Sequence, residues 1–221
     1  MRFAALETST QWCGVALWRD GEIAGVERRA GTRHSELVLP LLEGLLQRFQ
    51  LNPADLEAIA FGAGPGSFTG LRIACGIAQG LALPSGMPVL GVSTLEALAE
   101  EAGAPNVVAC IDARMREVYY AALQRDDGRW REVIPATCAA PAKLALPSGE
   151  WIGAGNGFAV YGNLGLTRVL PEVHPTAMAV ARLAAPRLAA GEGVDPALAA
   201  PVYVRDKVAF TKAERNSGSG S

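Results

Sequence analysis

The chain opens on a stretch, Arg2 to Glu7, that alternates little and ends on an acid, the pattern of a strand buried on both faces that enters a turn. Cys13 to Arg19 and Glu22 to Arg28 follow as strands, and Asp20-Gly21 between them is a hairpin signal. From about Ser35 to Phe49 the period changes to that of a helix, with Val38, Leu41, Leu42, Leu45 and Phe49 on one face. A buried strand over Ala58 to Gly62, a second helix over Gly70 to Leu83 and a short strand over Val89 to Val92 come next. Ser93 followed three residues later by Glu96 is a capping box that starts a third helix.

The second half repeats this opening. Val107 to Ile111 reads as a buried strand ending at Asp112, and Glu117 to Gln124 as its neighbour. Asp127-Gly128 makes the turn and Trp130 to Ile134 the third strand. A short helix near Pro141 to Leu146, a strand at Trp151-Ile152 and a helix from Thr176 to Ala189 complete the pattern. Two successive units of three meandering strands, each followed by alternating helices and strands, predict an internal duplication. The layout resembles the actin/hexokinase/Hsp70 superfamily: an α/β chain of two actin-like (ASKHA) subdomains facing a cleft, the second reduced. We place them at residues 1-105 and 106-210, and read 211-221 as a disordered tail, since Asn216 to Ser221 has linker composition.

Composition narrows the function. Of the 221 residues, 50% are hydrophobic and 19% charged, and the net charge is −2, so no global basic field draws the chain to nucleic acid. The chain is therefore not expected to be a main nucleic-acid-gripping surface. A charge precedes any apolar run at the N-terminus, and Pro84, Pro88, Arg182 and Pro186 cut the longest apolar runs short of a membrane span. We expect a cytoplasmic protein with no membrane contact. Cys13, Cys75, Cys110 and Cys138 have no paired spacing for zinc or a redox dithiol and read as free thiols.

Candidate chemistry is sparse. The glycine-rich run Gly64-Pro65-Gly66-Ser67-Phe68-Thr69-Gly70 precedes a helix but matches neither GxxxxGK[ST] nor GxGxxG. It reads as a strand-to-helix turn in which Ser67 or Thr69 caps the helix, with room for an anion at the helix start. Ser67 has Pro65 two residues before it, where a nucleophile elbow needs glycine. Gly153-Ala154-Gly155-Asn156-Gly157 is a weak candidate for an adenosine-side loop. His34, at a helix start, reads as a cap or surface residue, and His174 stands far off beside Pro175. Arg114, Arg116, Arg125, Arg129 and Arg131 read as solvated strand faces ahead of a nucleic-acid patch. No catalytic, metal-binding or cofactor-binding residue is assigned.

Several segments together resemble the TsaB (YeaZ) family of bacterial tRNA-modification proteins. They are Leu6-Glu7-Thr8-Ser9, His34-Ser35-Glu36-Leu37-Val38-Leu39-Pro40, the run from Gly64 to Arg72, Val92 to Leu98, Asp112 to Tyr119, and Pro201 to Asp206. The resemblance implies an accessory subunit that binds a catalytic TsaD-like paralogue, with a TsaE-like ATPase joining them, and that supplies no catalytic residue. The complex threonylcarbamoylates the adenosine adjacent to the anticodon of ANN-decoding tRNAs. It also implies a homodimer when the paralogue is absent. The transferase paralogues carry two histidines four apart on the first helix to share a metal; here Val38 follows His34, and Val38 cannot ligate.

In the wider superfamily the phosphates sit between the first hairpins of the two halves, which carry glycine after an acid. Glu7-Thr8-Ser9-Thr10 and Asp112-Ala113-Arg114 have none, and Glu7 stands where many members carry Asp. We therefore expect no cofactor, with weak adenine-nucleotide binding at a subunit junction left open. The rival readings are an ATP-dependent small-molecule kinase or ATPase of the same superfamily, and a protease acting on the paralogue. For the partner interface the candidates are Leu37, Pro40, Gly44, Arg72, Gly76 and Gly80. Gly44, Gly76 and Gly80 interrupt helices at a cost of about 0.5–1 kcal/mol each. They either admit this chain's own neighbouring helix or admit a partner's.

Overall fold

The structure is a computed structural model that describes residues 1–205. The tail expected at 211-221 and the last residues of the second half therefore lie outside the described residues, as does Asp206. In chain order the elements of the first half are β1 (Arg2–Glu7), β2 (Trp12–Arg19), β3 (Glu22–Arg29), α1 (His34–Arg48), β4 (Ala58–Gly64), α2 (Phe68–Ala82), β5 (Val89–Ser93) and α3 (Thr94–Ala102). The second half contributes β6 (Asn106–Arg114), β7 (Glu117–Asp126), β8 (Arg129–Ala139), β9 (Ile152–Ala154), α4 (Asn156–Tyr161), β10 (Arg168–Leu170) and α5 (Ala177–Ala189).

Two five-stranded sheets result, ordered β3-β2-β1-β4-β5 and β10-β9-β6-β7-β8. In the first, β1 runs antiparallel to β2 and parallel to β4. In the second, β6 runs antiparallel to β7 and parallel to β9. Strand for strand this is one topology used twice, the actin-like duplication that the sequence pattern implies. The second copy is reduced where it departs: β9 and β10 have 3 residues each against 7 in β4 and 5 in β5, and α4 has 6 residues against 15 in α2.

The short helix expected near Pro141 to Leu146 is only a single 3-10 turn, Pro141–Lys143. Pro141 and Pro147 bracket too few residues to repay helix nucleation. Conversely, α4 and β10 are too short to carry a readable period, and glycine at α4's start disguises it further.

One face of the first sheet is covered by α1 and α2, which bury Val38, Leu42, Leu45, Ala74, Cys75 and Ala78 against Leu6, Val15, Ile59 and Phe61. The opposite face is covered by α5, whose Ala177, Ala179, Val180, Ala181 and Ala184 pack on Phe3, Ala5, Ala16 and Ala60. Small residues on both sides let that helix lie close to the strands. The division drawn at 105/106 thus describes the sheets but not the helices, because α5 belongs to the second half in sequence and packs on the first sheet. The chain crosses between lobes after α3, returns before α5, and then runs along α2 to Arg205.

Candidate functional site

The mouth of the cleft is built from two turns of the first lobe, Thr8–Gln11 after β1 and Pro65–Ser67 before α2, facing the β6–β7 turn of the second. They enclose a cavity of about 650 Å³ lined by Ser9, Thr10, Ser67, Asp112, Arg114 and Arg205 among others. The first two turns are bolted together. The Ser67 N–H donates to the Ser9 carbonyl at 2.7 Å, and the Thr8 hydroxyl to the Gly70 carbonyl at 2.7 Å. A Cβ on Gly66 would stand 2.7 Å from the Ser9 carbonyl oxygen, and one on Gly70 1.9 Å from that of Thr8. These glycines are there to let one backbone pass against another. Ser67 caps α2 as expected, its hydroxyl accepting from the Gly70 N–H at 3.3 Å, although the helix begins at Phe68 instead of Gly70.

Neither acid at the cleft is presented to a ligand. Glu7 is 1% exposed, and its Oε1 accepts the Ser9 N–H at 2.6 Å. Among the described residues its Oε2 has no partner, and it occupies the space that a Cβ on Gly62 would fill, 2.0 Å away. Burial pushes this carboxyl up to about 7. Asp112 accepts the Arg114 N–H at 3.0 Å and is paired with the Arg114 guanidinium at 3.2 Å, while the Tyr161 hydroxyl lies 3.4 Å away. A divalent cation with nucleotide needs free carboxylate oxygens turned toward the cleft; Glu7 offers none, and Asp112, which lines the cavity, is already engaged by Arg114, so these residues do not fit that group.

The Gly153–Gly157 run is likewise spent on packing. Cβ atoms on Gly153, Gly155 and Gly157 would meet the Phe158 ring at 2.6 Å, the Cys110 carbonyl oxygen at 2.2 Å and the Cys110 sulfur at 2.4 Å. Asn156 accepts the Asp112 N–H at 2.9 Å. The loop seats α4 on β6.

His34 corrects the expectation of a cap or surface residue. It is buried, and its Nε2 lies 2.9 Å from the Thr10 carbonyl and 3.2 Å from that of Trp12, so a protonated Nε2 donates to both and ties α1 to the β1–β2 turn. Two of the arginines of β7 and β8 find partners within the chain: Arg125 pairs with Glu100 and lies over the Trp130 ring, and Arg131 donates to Gln124, while Arg129 is exposed.

The helix face is the opposite case. Pro40, Gly44, Arg72, Gly76 and Gly80 are exposed and Leu37 is half-buried against the core. Among the described residues nothing lies within 4 Å of where a Cβ would stand on Gly44, Gly76 or Gly80. No described helix of this chain fills the space beside them. Leu39, Phe68 and Leu83 extend the apolar exposure along the same two helices. The Arg72 guanidinium lies 3.8 Å over the Phe68 ring and its Nε donates to the Tyr203 hydroxyl at 3.1 Å. Sequence reading missed Phe68 and Tyr203, because a contact across 131 positions leaves no local signal.

The profile of the family described as "TsaD: tRNA N6-adenosine threonylcarbamoyltransferase" matches residues 26–209. A "tRNA threonylcarbamoyladenosine biosynthesis protein TsaB" of Escherichia coli is 38% identical over 96% of this chain and 98% of its own length. A protein of the same name from Haemophilus influenzae is 34% identical over 94% and 95%. Among solved structures, "YeaZ from Pseudomonas aeruginosa" superposes with a TM-score of 0.87 at 38% identity, covering 91% of this chain and 99% of that one.

Proposed function

The chain belongs to the TsaB/YeaZ family of tRNA threonylcarbamoyladenosine biosynthesis proteins, and from that premise we propose that it serves tRNA modification as a non-catalytic partner subunit. Its partner is a TsaD-like catalytic paralogue, joined by a TsaE-like ATPase. The complex threonylcarbamoylates the adenosine next to the anticodon of ANN-decoding tRNAs, and this chain touches tRNA only indirectly. In the absence of the paralogue the same face pairs two copies of the chain. The protein works in the cytoplasm; no described helix is long and apolar enough to cross a membrane.

The observation that carries the proposal is the open face of α1 and α2, with three helical glycines beside which, among the described residues, a Cβ would meet nothing within 4 Å. Glycine in a helix interior is costly, so an uncompensated set on one surface points to a compensation outside the chain. Small residues let another helix approach closely, and Leu37, Pro40 and Arg72 frame them. The inward-facing Glu7 and the self-paired Asp112 support the non-catalytic part, together with α1 offering Val38 where a second metal-binding histidine would stand. Weak adenine-nucleotide binding belongs, on this reading, to a junction between subunits.

Reconstitution tests it. The purified chain alone transfers no threonylcarbamoyl group to tRNA, and adding the paralogue and the ATPase restores transfer. Gly76→Leu fills the open face, leaves the isolated fold intact and lowers affinity for the paralogue tenfold or more, about 1.4 kcal/mol. Turnover by the chain alone, or undiminished affinity with leucine at 76, sinks the reading.

A further inference from the structure

The last described residues make a tie between the lobes that the duplicated topology does not require. After α5 the chain runs along α2, where the Gln79 amide donates to the carbonyls of Pro196 and Ala199 at 3.1 and 3.2 Å. The Val202 N–H then donates to the Ala63 carbonyl at 2.8 Å, at the end of β4. Gly64 leaves room for this passage, since a Cβ there would stand 2.5 Å from the Val202 carbonyl oxygen. Tyr203 accepts from Arg72 and packs on Phe68 with ring centres 5.5 Å apart. To this point every partner lies in the first lobe.

Two residues later every partner lies in the second. The Arg205 guanidinium is ion-paired with Glu117 at 2.5 Å, donates to the Ala113 carbonyl at 3.1 Å, and lies 5.5 Å from the centre of the Tyr119 ring. The Arg205 side chain is 12% exposed and that of Glu117 39%, so solvent reaches the pair only from the carboxylate side. Val202, Tyr203, Val204 and Arg205 themselves line the cleft cavity.

We propose that residues 199–205 are a strap that fixes the aperture of the cleft, with α2 as its anchor on the first lobe and the Arg205–Glu117 pair as its lock on the second. Two-lobed folds joined by two crossings hinge about those crossings, and here α3, packed on both sheets, stands at the first of them. A further tie through the cleft restricts the motion that remains. The strap also lies against Arg72 and Phe68, at the edge of the exposed α2 face, so the face offered to a partner and the lobe geometry share one set of contacts. Fixing the aperture is a property of the isolated chain and stands or falls apart from any partner.

The test is a distance between the lobes in the full chain. Nitroxides attached through p-acetylphenylalanine at Glu22 and Arg129, both exposed and one on each lobe, leave the four native cysteines untouched. The unsubstituted chain gives one narrow distance distribution. Arg205→Ala at least doubles its width and adds longer distances, while Arg205→Lys, which keeps a charge for Glu117 but loses the guanidinium fork, falls between. Glu117→Gln, which keeps every backbone contact, broadens it as well and serves if Arg205→Ala fails to fold. Faster amide exchange at the β6–β7 turn with an unchanged distance distribution would overturn the strap, because it would mean that Arg205 only orders that turn.

Discussion

Gly70 and Gly76 sit six residues apart in one helix and have opposite surroundings. At Gly70 a Cβ would stand 1.9 Å from the Thr8 carbonyl oxygen; at Gly76 nothing lies within 4 Å. Gly62 and Gly66 share the crowded condition of Gly70, and Gly44 and Gly80 the open condition of Gly76. The crowded set is explained entirely inside the chain: it brings β1, β4 and the start of α2 close enough for Thr8 and Ser9 to bond across. The open set has no internal explanation. A glycine-rich turn at a cleft invites a phosphate-binding reading, yet here the turn is a packing device, and the positions left for a ligand or partner are the ones buried nowhere.

The comparison breaks most visibly at Gly70. Gly70→Ala forces backbone apart at a site held by the Thr8 hydroxyl bond and should cost about 3–4 kcal/mol. A fall in unfolding free energy under urea of that size is expected; a change below about 1 kcal/mol would mean the turn flexes and the crowding is not what selects glycine.

The next effect tests the carboxylate that Gly62 accommodates. The Glu7 carboxyl has an ordinary value of 4.5 and stands at about 7 in the folded chain. Between those values the folded state holds a proton that the unfolded state has released, so stability falls as pH rises from 4.5 to 7 and is level above. The fall attributable to Glu7 is about 3 kcal/mol. Glu7→Gln stays neutral and keeps the acceptor for the Ser9 N–H, so the difference between wild type and variant should grow across that window in the variant's favour. Parallel curves at pH 5 and pH 8 would show that Glu7 is ionised and solvated in the folded state.

These two regions also separate what was legible in the sequence from what was not. Strands β1 to β9 and helices α1, α2, α3 and α5 were readable, most of them because they carry a period or an apolar run bounded by Asp-Gly, proline or a capping serine. The duplication was readable as a repeated order of such runs. The role of any one glycine was not. Local pattern puts Gly70 in a strand-to-helix turn and Gly76 inside a helix, but what a Cβ would meet at Gly70 is set by the β1–β2 turn, some sixty positions earlier in the chain. His34 was misread for the same reason, because its partners are backbone carbonyls of Thr10 and Trp12 and no side-chain motif announces them. The open helix glycines were half legible. Gly44, Gly76 and Gly80 stand out against helix propensity, which is local, whereas the empty space beside them among the described residues is a tertiary fact.

The smallest effect is the one that isolates the open set. Gly76→Ala adds a methyl group that meets nothing, so in the isolated chain only backbone entropy and helix propensity change. The substitution should stabilise the chain by about 0.8–1 kcal/mol, which for a domain of this size raises the melting temperature by about 2–4 °C. Gly44→Ala should do the same, and the two should add, since they lie on different helices and neither Cβ touches anything. Gly70→Ala, six positions from Gly76, should move in the opposite direction, and that contrast of sign cancels errors common to the helix. Because two copies of the chain are proposed to pair through this face, the measurement belongs at several protein concentrations. The gain should be clearest at dilution, where the face is empty, and should shrink as concentration rises and the methyl groups begin to hold two copies apart. A stabilisation that does not change with concentration would leave these glycines open but unoccupied in the isolated chain, and would confine their partner to another protein. A destabilisation at dilution would mean that an atom of this chain does fill the space, and the contrast between the two sets of glycines would fall.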